Sequence, residues 1–502
     1  MSASGSRTTP HFALPRAAQL LSLGLSLGLS LACSDDSGEP SSNQPGAGAA
    51  ALAGASGAGV SGGGLASSSG GPSGGGGNGG TVSTTGGNSG SGGSAQPTAG
   101  NSGAAGTPGM AGAAGSGGAP ATDACGAGPW TCVAVDGKTP YGSHTFDVLA
   151  QQNWVNTGLY LRAGDTAVIS ETGAWQLSNS GDGIDHGPCK IGDLVARIGL
   201  YYKDAALTCV KGSATFKAAK DGILFVGALA GNDLGETYES RSDASGKKSV
   251  TIASDRATVP TVLAADAASF GFGSVTSGWV EVWGKHVILT LPIASAEKDA
   301  KVMTRATERL DAIYELEAEL RSAVPHHGQR IRFFPDGSQP GYMLAGNPVR
   351  MATTLVTGGD KTRISRSGET GTDIWGFAHE MGHDFSFAPH GFWTYEENTL
   401  ESWCNVFSIY SLEKLGVPLN DSTLDCTTAS TGDYDSWDAW GGLCFLRQFQ
   451  FRYGWDFYKQ YFQQIKDTTS TSGDPWTFVH NKFEAIAGED VTPLFEKWNV
   501  PH

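Results

Sequence analysis

Asp373-Ile-Trp-Gly-Phe-Ala-His-Glu-Met-Gly-His-Asp-Phe385 is the stretch on which the reading of this chain turns. Ile374, Phe377, Ala378, Met381 and Phe385 recur at helical spacing, so the run is expected on a helix with one apolar face. His379 and His383 are then four residues apart, on one face and one turn apart, where both rings can grip a single ion. Glu380 lies beside them and can reach a water held by that ion. A string of the form H-E-x-x-H arises by chance in on the order of one in a hundred chains of this size, and the helical context makes chance less credible. The bland alternative is two surface histidines on an ordinary helix.

A catalytic zinc needs a third protein ligand and an open position. The metzincin extension would put Gly at 386 and His at 389. Here Ser386 and Pro389 stand there, and His390 comes one step late. A glutamate from the next helix is the better source, and Glu396, Glu397 and Glu401 are hard to separate on spacing alone. Glu396 and Glu397 fall near the expected helix start, where acids favour the dipole. Glu401 and Asn405 share a face, Trp403, Phe407 and Tyr410 can fill another, and Gly416 ends the helix. His390, Trp393 and Tyr395 lie in the connecting segment as candidates for substrate contact.

Further out, residues from about Thr261 have ordinary globular composition with helix and strand signals mixed, an α+β pattern. Trp283 to Pro292 reads as a buried strand. Ser295 to Val324 reads as an amphipathic helix with Ala306, Leu310, Ile313, Leu316 and Leu320 inward, Ser295 as N-cap and Pro325 as stop.

From about Trp279 to the C-terminus the chain resembles the enhancin-like, mucin-degrading zinc metallopeptidases of family M-sixty. The resemblance is carried by His286-Val-Ile-Leu-Thr-Leu-Pro, Gly341-Tyr-Met-Leu-Ala-Gly-Asn-Pro, Trp375-Gly-Phe-Ala-His-Glu-Met-Gly-His and Glu401-Ser-Trp-Cys-Asn-Val-Phe-Ser. Tyr453-Gly-Trp-Asp-Phe-Tyr and Thr492-Pro-Leu-Phe-Glu-Lys-Trp498 add to it. It implies a gluzincin-type centre with one Zn²⁺ held by His379, His383 and Glu401, with Glu380 as general base and Asn405 in support. Leu344 and Asn347 depart from the family pattern, which bears on substrate contact. The implied substrates are mucins and other O-glycosylated proteins. The rival reading is a surface carbohydrate-binding protein whose peptidase domain is inactive.

Between about Gly137 and Ser254 short apolar runs alternate with Gly and Asp turns, at Thr157–Asp165, Thr166–Ser170, Gly222–Leu229 and Lys248–Ala253. An all-β sandwich is expected. The segment resembles the PA-I-type galactophilic lectins in Trp154-Val-Asn-Thr-Gly-Leu, Ala163-Gly-Asp, Thr172-Gly-Ala-Trp175, Leu194-Val-Ala-Arg-Ile-Gly199 and Gly231-Asn-Asp-Leu-Gly-Glu-Thr-Tyr238. In those lectins the last segment binds calcium and sugar, which places Asp233 and Thr237 as ligands. Ser240 and Arg241 replace the two asparagines expected next, and an Arg opposes a cation. Ca²⁺ is therefore a weaker expectation than Zn²⁺.

Arg7, His11 and Arg16 precede the apolar run Ala17 to Leu31, too short to span a membrane and suited to an export signal. Leu29-Ser-Leu-Ala-Cys33 resembles a bacterial lipobox, which implies lipidation at Cys33. From Ser34 to about Thr122 the chain is mostly Gly, Ser, Ala, Asn, Pro and Thr, with almost nothing to bury, and is expected to be a disordered tether. The resulting plan is a signal at 1–33, a linker at 34–122, a lectin-like sandwich at 123–255 and a peptidase domain at 256–502. Export to the outer membrane, the cell surface or the exterior follows, with a lipid anchor as the only membrane contact. The net charge of −16 argues against a nucleic-acid partner. An oxidising compartment favours disulfides among the eight cysteines. Nearest neighbours suggest Cys125 with Cys132 and Cys189 with Cys209, leaving one of Cys404, Cys426 and Cys444 free.

Overall fold

A computed structural model of the chain describes residues 130–177, 188–201, 206–229, 244–338, 342–356, 364, 366, 374–387, 399–419, 426, 434, 439–468 and 473–502. The expected signal and Cys33, the linker, Asp233 and Thr237 lie outside the described residues, as do His390, Trp393, Tyr395, Glu396 and Glu397.

The first part is a two-sheet module. Its strands are β1 (Gly142–Leu149), β2 (Val155–Leu161), β3 (Thr166–Gln176), β4 (Leu194–Ile198), β5 (Thr208–Val210), β6 (Ser213–Lys217), β7 (Gly222–Ala228) and β8 (Ser245–Ser254). They form two four-stranded antiparallel sheets, ordered β1-β8-β3-β6 and β2-β7-β4-β5. Val148, Ile169, Phe216, Val250 and Ile252 from the first sheet meet Leu161, Ile198, Leu224 and Val226 from the second in one apolar cluster. Each expected apolar run overlaps a strand, though Thr157–Asp165 runs past the end of β2 into the turn before β3.

β7 is buried along its whole length. A strand in a sheet with one face to solvent would alternate inward and outward. Here Leu224 and Val226 face the first sheet, while Ile223 and Phe225 belong to a separate cluster with Trp154, Leu200 and Phe334. Phe334 comes from the next part of the chain. The second sheet is therefore covered on both faces.

What covers it is a six-stranded mixed sheet, β13-β14-β12-β11-β10-β9. Its strands are β9 (Thr261–Leu263), β10 (Trp279–Trp283), β11 (Val287–Pro292), β12 (Ile331–Pro335), β13 (Met343–Leu344) and β14 (Val349–Met351). The stretch read as one strand from Trp283 is thus the end of β10, a turn and β11. Asp311 holds that turn, accepting the backbone N–H groups of Lys285, His286 and Val287. On β12, Ile331 and Phe333 face the helices while Phe334 faces the module.

Seven helices are described. They are α1 (Ile293–Arg321), α2 (Trp375–Phe387), α3 (Leu400–Lys414), α4 (Ala439–Tyr453), α5 (Trp455–Ile465), α6 (Pro475–Ala487) and α7 (Thr492–Lys497). α1 carries the expected inward residues Ala306, Leu310, Ile313 and Leu320. Its start differs from expectation: Pro292 is the N-cap, and the Ser295 hydroxyl, inside the helix, donates to the Val356 carbonyl. Among the described residues no helix is long and apolar enough to cross a membrane.

Cys189–Cys209 and Cys426–Cys444 are disulfides, and Cys404 is the free thiol among the described residues. Cys132 is also disulfide-bonded, to a partner outside the described residues.

Candidate metal centre

α2 and α3 build the site. Ile374, Phe377, Ala378, Met381 and Phe385 are all buried in the helical core, which fixes the rotation of α2. His379 and His383 are consequently presented on one side, their ring centroids 4.8 Å apart and nearly perpendicular. The crossing with α3 is close because residue 382 is glycine: a Cβ there would lie 2.5 Å from the Cys404 carbonyl oxygen. That close approach brings Glu401, in the first turn of α3, to the histidines. Its Oε2 is 2.9 Å from His379 Nε2 and 3.5 Å from His383 Nε2.

Asn405, one turn beyond Glu401, places Oδ1 at 2.8 Å from His379 Nδ1. An amide oxygen accepts, so the Nδ1–H donates to Asn405 and Nε2 is the ring nitrogen turned toward Glu401. Two nitrogen donors and a carboxylate oxygen thus converge in a buried pocket. This is a donor set that zinc takes.

Cys404 also lies among these groups, all four offering a ligand atom within 4.8 Å of the others. Its sulfur is 3.4 Å from His379 Nδ1 and 3.7 Å from Nε2. The sulfur therefore lies beside the His379 ring, about equally far from its two nitrogens, and is a fourth atom able to face the same ion. The thiol bonds the Glu401 carbonyl at 3.0 Å. The sequence reading passed over Cys404, although its place three residues after Glu401 on a helix was a usable signal.

Glu380 is buried with the histidines. Burial pushes its carboxyl above the usual range, opposed by the neighbouring His379 and His383. Burial also acts upward on Glu401, but the charge of His383 and hydrogen bonds from both histidines outweigh it and hold that carboxyl well down. Burial and neighbouring charge thus push the two carboxyls of one pocket in opposite directions. Asn347, a departure from the family pattern, does structural work: its Oδ1 accepts the Arg332 N–H and its Nδ2 donates to the Arg330 carbonyl.

Two histidines one turn apart on one helix, with carboxylates between and opposite, form the candidate metal centre. The family profile described as Peptidase M60, enhancin and enhancin-like, matches residues 275–499, and that span is an enhancin-like M60 peptidase domain. A curated relative, the TRPM8 channel-associated factor homolog of Danio rerio, is 24% identical over 239 residues, covering 44% of this chain and 25% of its own length. TRPM8 channel-associated factor 2 of Homo sapiens is 24% identical over 422 residues, covering 75% of this chain and 41% of its own length. The chain therefore spans about a quarter to two fifths of the curated relatives it matches. Among solved structures, a metallopeptidase in complex with Tn antigen is similar at 15% identity and a TM-score of 0.46, covering 74% of this chain and 71% of that one. The catalytic module of the metalloprotease ZmpA from Clostridium perfringens is similar at 16% identity and a TM-score of 0.46, covering 70% and 72%.

Proposed function

We propose that the chain is an exported zinc metalloendopeptidase that hydrolyses peptide bonds in O-glycosylated, mucin-like proteins. The observation that carries the reading is the approach of Glu401 Oε2 to both His379 Nε2 and His383 Nε2. On this reading His379, His383 and Glu401 hold the metal. Bound there, zinc supplies Lewis acidity for the scissile carbonyl and a nucleophilic water near neutral pH. Glu380 takes the proton of the attacking water and passes it to the leaving amine. Asn405 keeps the His379 ring in the tautomer that frees Nε2.

The substrate class rests on the enhancin-like domain and on its resemblance to mucin-degrading peptidases. A lectin-like role of the two-sheet module would raise the local concentration of glycosylated substrate. Lipidation at Cys33 would hold the enzyme at a membrane surface.

The test is incubation of the full chain with a mucin, with and without a zinc chelator, and mapping of fragments by mass spectrometry. Chelator-sensitive cuts beside glycosylated Ser or Thr are expected. Mucin binding without cuts, at full zinc occupancy, would favour the inactive carbohydrate-binding reading instead.

A further inference from the structure

Asp384 directly follows His383 and is fully buried, where a carboxylate needs partners to replace water. Its two oxygens are held separately. Oδ1 accepts the Gly346 N–H at 2.9 Å, and Oδ2 faces His326 Nε2 at 3.5 Å. These two arms pin the last turn of α2, and with it the direction of His383.

Both arms lead to the two-sheet module. His326, His327 and Gly328 have consecutive positive φ values of 50°, 57° and 76°. A non-glycine residue there costs about 1–2 kcal/mol, so the turn depends on outside contacts. The module supplies them. Trp130 Nε1 donates to the Gly328 carbonyl at 3.2 Å. Gln329 Oε1 accepts the Asn153 N–H at 2.8 Å, and its Nε2 donates to the Gln151 carbonyl at 2.7 Å. On the other arm, Gly346 precedes Asn347, whose carbonyl accepts Asn153 Nδ2 at 3.3 Å. One residue of the module, Asn153, therefore holds both arms that hold Asp384.

We infer that Asn153 is a positioning residue for the metal helix, and that the two-sheet module is a working part of the metal centre. The inference rests on the zinc reading of His379, His383 and Glu401. Loosening either arm frees the last turn of α2 to rotate, and His383 loses its alignment with His379 and Glu401.

The test uses the full chain loaded with Co²⁺, reading affinity by chelator competition and geometry by the visible ligand-field bands. Asp384→Asn is expected to weaken binding by about tenfold or more, as loss of an outer partner of a metal site does. Asn153→Ala and Gln329→Ala should each weaken it by about threefold to tenfold and alter the cobalt bands in the same sense. Asn153→Ala should add little on top of Asp384→Asn, since both act through one element. Tyr201→Ala is the control: the Tyr201 ring packs edge-on against Phe334 across the same seam and belongs to neither arm. It should lower thermal stability while leaving affinity and spectrum unchanged. Parent-like cobalt binding by Asn153→Ala and Gln329→Ala overturns the inference, as does an equal loss in Tyr201→Ala. A parent chain that binds no cobalt instead overturns the metal reading itself.

Discussion

Glu380 and Asn405 both border the histidines but act on different protons, and substitution separates them. Glu380→Gln keeps the shape of the pocket and removes the base. It should retain stoichiometric zinc while lowering kcat by at least about a hundredfold, the usual weight of general base catalysis. Metal analysis alongside peptide-cleavage rates checks this, and near-normal turnover in that variant would sink the assignment of the base. Asn405→Ala should do the reverse, weakening zinc by about 10–100-fold through loss of the His379 tautomer lock. Its kcat at saturating zinc should fall less than that of Glu380→Gln. A chelator titration of the two variants side by side distinguishes the roles.

At the scale of elements, the crossing of α2 and α3 makes the site. Neither helix alone brings Glu401 near the histidines. Gly382 sets their separation, because a methyl group there meets the Cys404 carbonyl at 2.5 Å, backbone that cannot swing aside. Gly382→Ala should therefore destabilise the fold by about 1–3 kcal/mol, as overpacking does, despite the better helix propensity of alanine. It should also weaken zinc binding, because Glu401 and Asn405 move with α3. Thermal unfolding with and without zinc measures both effects; a stability gain would show that the crossing is looser than described.

At the scale of the molecule, three sheets and a helical layer share faces. Phe334, on β12 of the six-stranded sheet, packs edge-on against Tyr201 and Phe225 of the module and parallel to Trp279. Behind this seam Arg332 pairs with Glu281, which also accepts hydrogen bonds from Thr290 and Trp283. Phe334→Ala removes an aromatic from a fully buried position and should cost about 3–5 kcal/mol. Module and peptidase domain should then unfold in a single transition in calorimetry, at lower temperature than the parent. Two separated transitions, with only one shifted, would mean that the module folds apart from the peptidase domain.

The HExxH helix was legible from the sequence because its information is local. Helical periodicity is written in neighbouring residues, and two histidines four apart must share a face whatever surrounds them. The strands of the module were legible for the same reason, in short apolar runs between turn residues. Glu401 could be narrowed only to one of three acids by spacing; its distance to the histidines depends on how two helices cross, which Gly382 and the core decide together. The double-sided burial of β7 could be read only as a buried strand, since the covering residue Phe334 lies more than a hundred positions away. The same holds for Cys404 and Asp384. Their contacts on other elements come from tertiary packing alone, which brings a thiol beside the His379 ring and runs two arms from Asn153 to the carboxylate behind His383. The sequence by itself determined the chemistry that the helix can present. The tertiary structure decided which groups meet it and what holds it in register.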